Sequence, residues 1–256
     1  MSEAILEAHD LHKAFGGLKA LDGVCMSVLR GTISAVIGPN GAGKTTLFNV
    51  IAGTLRAERG SIRYSDRELG HLPPHKVARL GIARTFQTTR LFGGLTVAEN
   101  VLVGRHVRTR SGFLSGMLTL PGARKEQLAS SRYAGELLSD FGLAAVAGVP
   151  ARELPFGQQR LVEIARALAT EPGLLLLDEP AAGLNTSETA ALARLIRRIR
   201  DRGVTVLLVE HDMSLVMDVS DHVVVLSFGR TIAEGEPRDI QRNPAVIDVY
   251  LGTDGD

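Results

Sequence analysis

A single cysteine, Cys25, and no tryptophan occur in the 256 residues. One cysteine excludes an internal disulfide framework and a cysteine-built zinc cluster, and it suits a reducing compartment. Cys25 itself is expected to behave as a small core hydrophobe. Aromatic residues make up only 4% of the chain, which argues against a base-stacking surface for single-stranded nucleic acid. Neither sign of charge is in excess, with 29 Lys plus Arg against 28 Asp plus Glu, so no global field draws the chain to nucleic acid or to an anionic membrane. Long apolar runs are missing too. The most apolar stretches, Val204 to Val209 and Leu174 to Leu177, are strand-length, against the roughly 18 to 20 residues that span a bilayer. The chain is therefore expected not to cross a membrane by itself. Met1 to Glu7 carries acids and a short apolar stretch, with neither the basic head nor the longer apolar run of a secretory signal.

What remains is an ordinary globular composition, 45% hydrophobic and 22% charged, long enough to bury a substantial core. The chain opens with strand patterns over Ala4 to Phe15, Val24 to Leu29 and Ile33 to Ile37. Glycines from Gly38 to Gly43 break the pattern, and Lys44 to Ala52 resumes as a helix with Leu47, Val50 and Ile51 on one side. A hairpin over Ser61 to Leu69, a short helix over Pro73 to Leu80 and a strand over Ile82 to Phe86 follow. From Thr96 the periodicity turns helical to about Gly142, interrupted by the apolar, Gly- and Pro-punctuated stretch Gly112 to Gly122. A helix from Gln158 to about Ala169, the strand Leu174 to Leu177, a helix from Ser187 to Arg202 and the strand Val204 to Val209 then alternate, which implies a parallel sheet. The strand His222 to Ser227 and helices near Pro237 to Gln241 and Pro244 to Leu251 complete the chain.

Gly38-Pro39-Asn40-Gly41-Ala42-Gly43-Lys44-Thr45 fits G-x-x-x-x-G-K-[ST], in the strand, loop and helix context that a phosphate-binding loop requires. Glycines let successive backbone N–H groups curl inward around phosphates, and the helix N-terminus adds partial positive charge. In this reading Lys44 bridges the β- and γ-phosphates of a bound ATP and Thr45 ligates Mg²⁺. The apolar run Leu174 to Leu177 ends in Asp178-Glu179, two carboxylates that a buried strand tolerates only where its end opens onto cations or water. Neighbouring strand residues point opposite ways, so the pair is expected to divide its work. Asp178 is assigned to the metal shell and Glu179 to the attacking water, as general base or orienting group.

Taken together, Gly38 to Thr46, Gln87 within Arg84-Thr85-Phe86-Gln87, Leu154 to Arg160, Asp178-Glu179-Pro180, Ala182-Gly183-Leu184-Asn185 and Glu210-His211-Asp212 resemble, in order and spacing, the motifs of the ABC ATPases. The chain looks most like the ATP-binding subunit of branched-chain amino-acid importers, the longer of two ATPase paralogues. That likeness rests on the Phe113 to Pro121 insertion, the run Asp178 to Asn185, and the ending Asn243 to Ile247 through Tyr250-Leu251-Gly252.

The resemblance implies an α/β P-loop NTPase fold with a parallel-sheet core, an N-terminal antiparallel β subdomain and a helical subdomain. It places one ABC ATPase domain over 4–252, with its core at 4–87 and 156–236, helices at about 88–155 and C-terminal helices at 237–252. Phe15 would stack on adenine, Thr46 would join the phosphate loop, Gln87 would reach Mg²⁺ or the water, and His211 would contact the γ-phosphate. Gly157 and Gln158 would address the phosphate held by a second ATPase subunit, homodimeric or paralogous. Pro155 and Phe156 depart from the Leu-Ser-Gly-Gly-Gln signature and remove a hydroxyl, and Asn185 stands where many members carry Asp. Further expectations are transmembrane permease subunits as partners, no nucleic acid, and a peripheral place on the cytoplasmic face of the inner membrane.

The basic run Arg105 to Arg110 reads as a solvated face, with a permease or lipid-headgroup contact as the other reading. Three competing functions stay open at this point. A soluble ABC ATPase acting on DNA or ribosomes predicts coiled-coil insertions or tandem domains, and a P-loop kinase has no use for the Leu154 to Arg160 signature. An exporter or lipid extractor differs only in its membrane partner.

Overall fold

The computed structural model describes residues 3–85, 90–107 and 121–251, with the backbone alone at 121–125 and 251. Gln87, the 112–120 stretch and Gly252 lie outside the described residues. The chain forms two compact units, one of residues 1–84 and 173–256, the other of residues 85–172.

The first unit holds two sheets. β1 (Ala4–Phe15), β2 (Leu18–Leu29), β4 (Arg59–Tyr64) and β5 (Arg67–Glu68) make an antiparallel sheet in the order β2-β1-β4-β5. The second sheet has the order β10-β9-β3-β8-β7-β6, built from β3 (Ile33–Ile37), β6 (Ile82–Arg84), β7 (Leu174–Asp178), β8 (Thr205–Val209), β9 (His222–Ser227) and β10 (Arg230–Gly235). Its pairings are parallel except at the β9–β10 hairpin. β3, β7 and β8 are buried at every position, the condition of parallel strands covered on both faces, and this explains why they read as unbroken apolar runs and not as alternation. Each of the four leucines of β7 contributes about 1.5–3 kcal/mol by leaving water.

α1 (Lys44–Ile51) follows β3, and its Leu47, Phe48 and Ile51 join one core with Leu6 and Val24 of the antiparallel sheet and Leu174 and Leu176 of β7. α2 (Pro74–Leu80) starts behind Pro73 and stops at Gly81, whose left-handed φ of 106° ends a helix without cost to glycine. Cys25 departs from expectation. It is exposed on β2, where its position alternates outward between Val24 and Met26, and its Sγ accepts the Asp10 N–H at 3.3 Å.

The second unit contains α3 (Val97–Arg105), α4 (Pro121–Asp140) and α5 (Phe156–Leu168). α5 belongs here, whereas the motif reading divided the chain at 155 and 156. It packs on α3, and Gly104 lies so close that a Cβ there would run into the Arg166 carbonyl. Back in the first unit, α6 (Thr186–Asp201), α7 (Met213–Val219), α8 (Pro237–Arg242) and α9 (Pro244–Leu251) follow. α6 opens with a capping box in which Asn185 accepts the Glu188 N–H at 3.0 Å and Glu188 accepts the Asn185 N–H at 2.9 Å.

Candidate active site

The loop between β3 and α1 is held by its own backbone. Gly43 sits at φ 105°, and a Cβ there would collide with the Ala20 carbonyl oxygen, so the turn into α1 admits only glycine. The Ala42 N–H bonds Pro39 at 3.2 Å, and the Ala42 carbonyl accepts the Gly229 N–H at 3.0 Å, which ties the loop to the β9–β10 turn. Within α1 the Leu47 N–H bonds Gly43 at 2.9 Å. The amides of Lys44, Thr45 and Thr46 precede that bond and carry no intrahelical partner, so they form the electropositive end of the helix. Asn40, Gly41 and Thr45 are exposed, and Pro39, Gly43 and Thr46 half-buried.

Lys44 is 9% exposed and folds back so that Nζ donates to the Gly38 carbonyl at 2.6 Å and the Pro39 carbonyl at 2.9 Å. Burial pushes its ammonium below the ordinary lysine value, and the charges of Glu179 and Asp178 oppose that shift. Those two carboxylates are therefore the electrostatic partners of the loop's only lysine.

Asp178 ends β7, 2% exposed. Its Oδ2 accepts from Arg84 at 2.8 Å, and Arg84 also donates to Asn49 Oδ1 of α1 at 2.7 Å. Arg84 closes β6, which pairs with β7, so two parallel strand ends and one helix converge on this carboxylate. The sequence quoted Arg84 only as a neighbour of Gln87. A cation at the carboxyl end of a strand flanking β7 is the signal that could have found the pair.

Glu179, the next residue, has φ 46°, a left-handed conformation that costs a non-glycine residue on the order of 1–3 kcal/mol. Its N–H is held by the Val209 carbonyl at 2.9 Å, and its carbonyl accepts the Ala182 N–H at 3.2 Å, so surrounding bonds enforce the turn. The Glu179 side chain is 21% exposed. His211 follows β8 and is exposed, with Nδ1 3.9 Å from Glu179 Oε2 and 3.9 Å from Glu210 Oε2. Asp178, Glu179 and His211 thus come together at the carboxyl ends of adjacent strands, the edge at which open α/β sheets bind ligands.

Glu210 is the residue the sequence undervalued. It is fully buried, with Oε1 accepting the Ala181 N–H at 2.7 Å and Oε2 accepting the N–H groups of His211 at 3.1 Å and Asp212 at 3.4 Å. One carboxylate therefore joins the loop after β7 to the loop after β8. Burial raises its proton affinity above the ordinary glutamate value, and the three N–H groups hold it back. With a folded pKa above the unfolded one, Glu210 contributes most stability below the unfolded value and loses that contribution as pH rises through the folded one. The melting temperature of the wild type relative to Glu210→Gln is therefore expected to improve as pH falls from 7 to 5. A constant or shrinking difference across that range would contradict this account of the buried carboxylate.

Phe15 ends β1, 48% exposed, with Lys13 Nζ 5.4 Å from its ring centroid. A cavity of about 300 Å³ lined by Lys13, Ala14, Lys19 and Glu58 opens on the same hairpin. The signature residues lie in the second unit. Pro155 caps α5 without a side-chain bond, and Phe156 begins the helix two residues earlier than the sequence suggested. Gly157 and Gln158 occupy its first turn, ahead of the bond from the Gln159 N–H to Pro155 at 3.0 Å, so their amides carry no intrahelical partner. Arg160 and Glu163, both 1% exposed in their side chains, form an ion pair at 3.0 Å one turn later.

A phosphate-cradling loop faced by a two-carboxylate strand end, with a histidine beside the second carboxylate, defines a nucleotide-hydrolysing cassette. The chain belongs to the ABC transporter family. The family model described as ABC transporter matches residues 21–182, and one described as branched-chain amino acid ATP-binding cassette transporter matches residues 230–256. The chain is 47% identical to the high-affinity branched-chain amino acid transport ATP-binding protein BraF of Pseudomonas aeruginosa, over 98% of this chain and 99% of that one. It is 44% identical to the corresponding protein LivG of Escherichia coli over the same shares. Among solved structures, an ATP-binding cassette of an ABC transporter in its ADP conformation is 34% identical, covers 98% of this chain and 100% of its own, and superposes with a TM-score of 0.86. A nucleotide-free cassette is also 34% identical, with coverages of 97% and 99% and a TM-score of 0.84.

Proposed function

We propose that this chain binds and hydrolyses ATP as the energising subunit of an importer for branched-chain amino acids, docked on separate permease subunits at the cytoplasmic face of the inner membrane. The observation that carries the reading is the end-to-end identity with BraF and LivG, which includes the C-terminal segment 230–256. Among the described residues no helix is long and apolar enough to cross a membrane, and the permease is proposed as separate chains.

The mechanism follows from the site. Phe15 presents a π face to adenine, on which a flat base stacks without hydrogen-bond specificity. Backbone amides from Gly38 to Thr46 face the phosphates. Lys44 exchanges its two carbonyl partners for the phosphate oxygens, a trade favoured because a charge-assisted bond to an anion exceeds one to a neutral carbonyl.

The donor set fits Mg²⁺: the exposed Thr45 hydroxyl and the Asp178 carboxylate are hard oxygen ligands, and phosphate oxygens would supply more. Bound there, Mg²⁺ would neutralise charge that builds on the phosphates. Gln87 is proposed to reach the same region. Glu179, at positive φ and partly exposed, accepts a proton from the attacking water or orients it, and His211 beside it meets the γ-phosphate.

Gly157 and Gln158 present free amides to the phosphate of a second ATPase subunit. Phosphate binding through amides needs no serine hydroxyl, so Pro155 and Phe156 are compatible with a working signature. ATP then joins two subunits, hydrolysis separates them, and the motion is passed to the permease.

Uptake of labelled leucine, isoleucine and valine tests the assignment. Cells from which the gene is deleted should lose high-affinity uptake and regain it with the wild-type chain but not with Lys44→Ala. Undiminished uptake after deletion, in a strain with no second system for these amino acids, would assign the chain to a different cargo.

A further inference from the structure

Asp178 is a carboxylate at 2% exposure, and a buried charge of that kind needs a paired cation to offset its loss of water. Arg84 supplies it. On β6 this arginine stands level with Leu176 of β7, and Leu176 and Asp178 lie on one face of β7, the face whose leucines share a core with Leu47 and Phe48 of α1. The guanidinium forks there: Nη2 donates to Asp178 Oδ2 at 2.8 Å, and Nη1 donates to Asn49 Oδ1 at 2.7 Å. The carbon between these nitrogens lies 5.8 Å from the ring centroid of Phe48, a fully buried residue of the same helix. With its side chain 10% exposed, Arg84 is gripped by α1 on one arm and by the end of β7 on the other.

The two elements joined in this way carry the two side chains assigned to Mg²⁺. Asp178 ends β7, and Thr45 stands in the first turn of α1 four residues before Asn49, so Thr45 and Asn49 project from one side of the helix a turn apart. A fork that fixes Asn49 relative to Asp178 therefore fixes the turn bearing Thr45 relative to Asp178 as well. We propose that Arg84 is a positioning residue for the metal: its two arms set the spacing between α1 and the end of β7 without help from the ion, so that Mg²⁺ meets ligands already in place. This role requires an arginine, since a lysine brings the same charge on a single nitrogen and has no planar fork.

The inference rests on the assignment of Thr45 and Asp178 to Mg²⁺, and the test separates the two. Arg84→Lys keeps the charge and loses the fork. Asn49→Ala keeps the Arg84–Asp178 pair, removes the other arm and suits a helix interior. Each protein is titrated calorimetrically, below its melting transition, with the non-hydrolysable imido analogue of ATP, once in Mg²⁺ and once in EDTA. The factor by which Mg²⁺ tightens the analogue is expected to shrink about fivefold in both variants, the usual worth of one hydrogen bond that holds a ligand in place. Affinity in EDTA should stay within about twofold of the wild type, because the phosphate-loop amides and Lys44 are untouched. If Mg²⁺ tightens the wild type and both variants alike, the bridge is wrong and the metal assignment stands. If Mg²⁺ does not tighten even the wild type, the metal assignment fails and the bridge with it. Wild-type behaviour in Arg84→Lys alone would show that charge suffices, an equal loss in EDTA would show a general disturbance of the loop, and a larger Mg²⁺ factor in either variant would show that the guanidinium competes with the metal. Each of these three results would overturn the positioning role.

Discussion

Lys44→Ala is expected to lose ATP affinity by at least about a hundredfold, since two charge-assisted bonds to phosphate at about 1.5–3 kcal/mol each disappear together. The folded state should survive the change. Among the described residues the Lys44 ammonium bonds to two carbonyls of its own loop, and burial disfavours its charge. Its folded pKa lies below the unfolded one, so the charged side chain detracts from stability at neutral pH, and that penalty fades as pH rises from the folded value to the unfolded one. The melting temperature without nucleotide should consequently fall little or rise, and the stabilisation that ATP confers on the wild type should vanish. Calorimetric titration and thermal melts with and without Mg²⁺-ATP check both halves. Undiminished ATP affinity in the variant would remove residues 38–45 from the site.

The second large effect concerns turnover. Glu179→Gln should bind ATP like the wild type and lose on the order of 10² to 10⁴ in hydrolysis rate, the usual contribution of a positioned general base. Gln preserves size and hydrogen bonding and cannot accept the proton. The left-handed φ of 46° gives the change diagnostic value, because the backbone is enforced by the Val209 and Ala182 bonds and not by the carboxylate. The variant should keep its fold and its ATP. Near-normal ATPase activity in Glu179→Gln would mean that another group handles the water.

Two kinds of information were legible in the sequence. Backbone constraints were, because only glycine satisfies a loop that must turn at φ 105° with Ala20 pressed against it, and Gly43 therefore marks the turn into α1. Polar residues ending apolar strands were legible too, since Asp178-Glu179 after four leucines demands an explanation that the parallel sheet then supplies. The sheet followed from the same runs: β3, β7 and β8 are apolar at nearly every position because both faces are covered.

Other features needed the fold. Glu210 looked like one letter of a motif, yet its carboxylate is completely buried and carries three backbone N–H groups from two loops. A charge after an apolar strand ordinarily marks emergence into solvent, so no local pattern distinguishes this one. The Arg84–Asp178 pair joins strands whose adjacency depends on the order of the sheet. Asn185 was read through its difference from relatives that carry Asp, whereas its local work is to cap α6, a task Asn and Asp perform about equally well. α5 was placed with the core from its motif, and its contacts group it with the second unit. Its motif suggested a tie to the phosphate chemistry, whereas in the structure it packs against α3.

The most direct measurement is a crystal structure of the Glu179→Gln form with Mg²⁺-ATP. The account predicts a triphosphate wrapped by the amides of residues 38–46, the Lys44 ammonium moved from the Gly38 and Pro39 carbonyls to the phosphate oxygens, and the adenine on Phe15. A nucleotide bound elsewhere, with Lys44 still on its own loop, would contradict it.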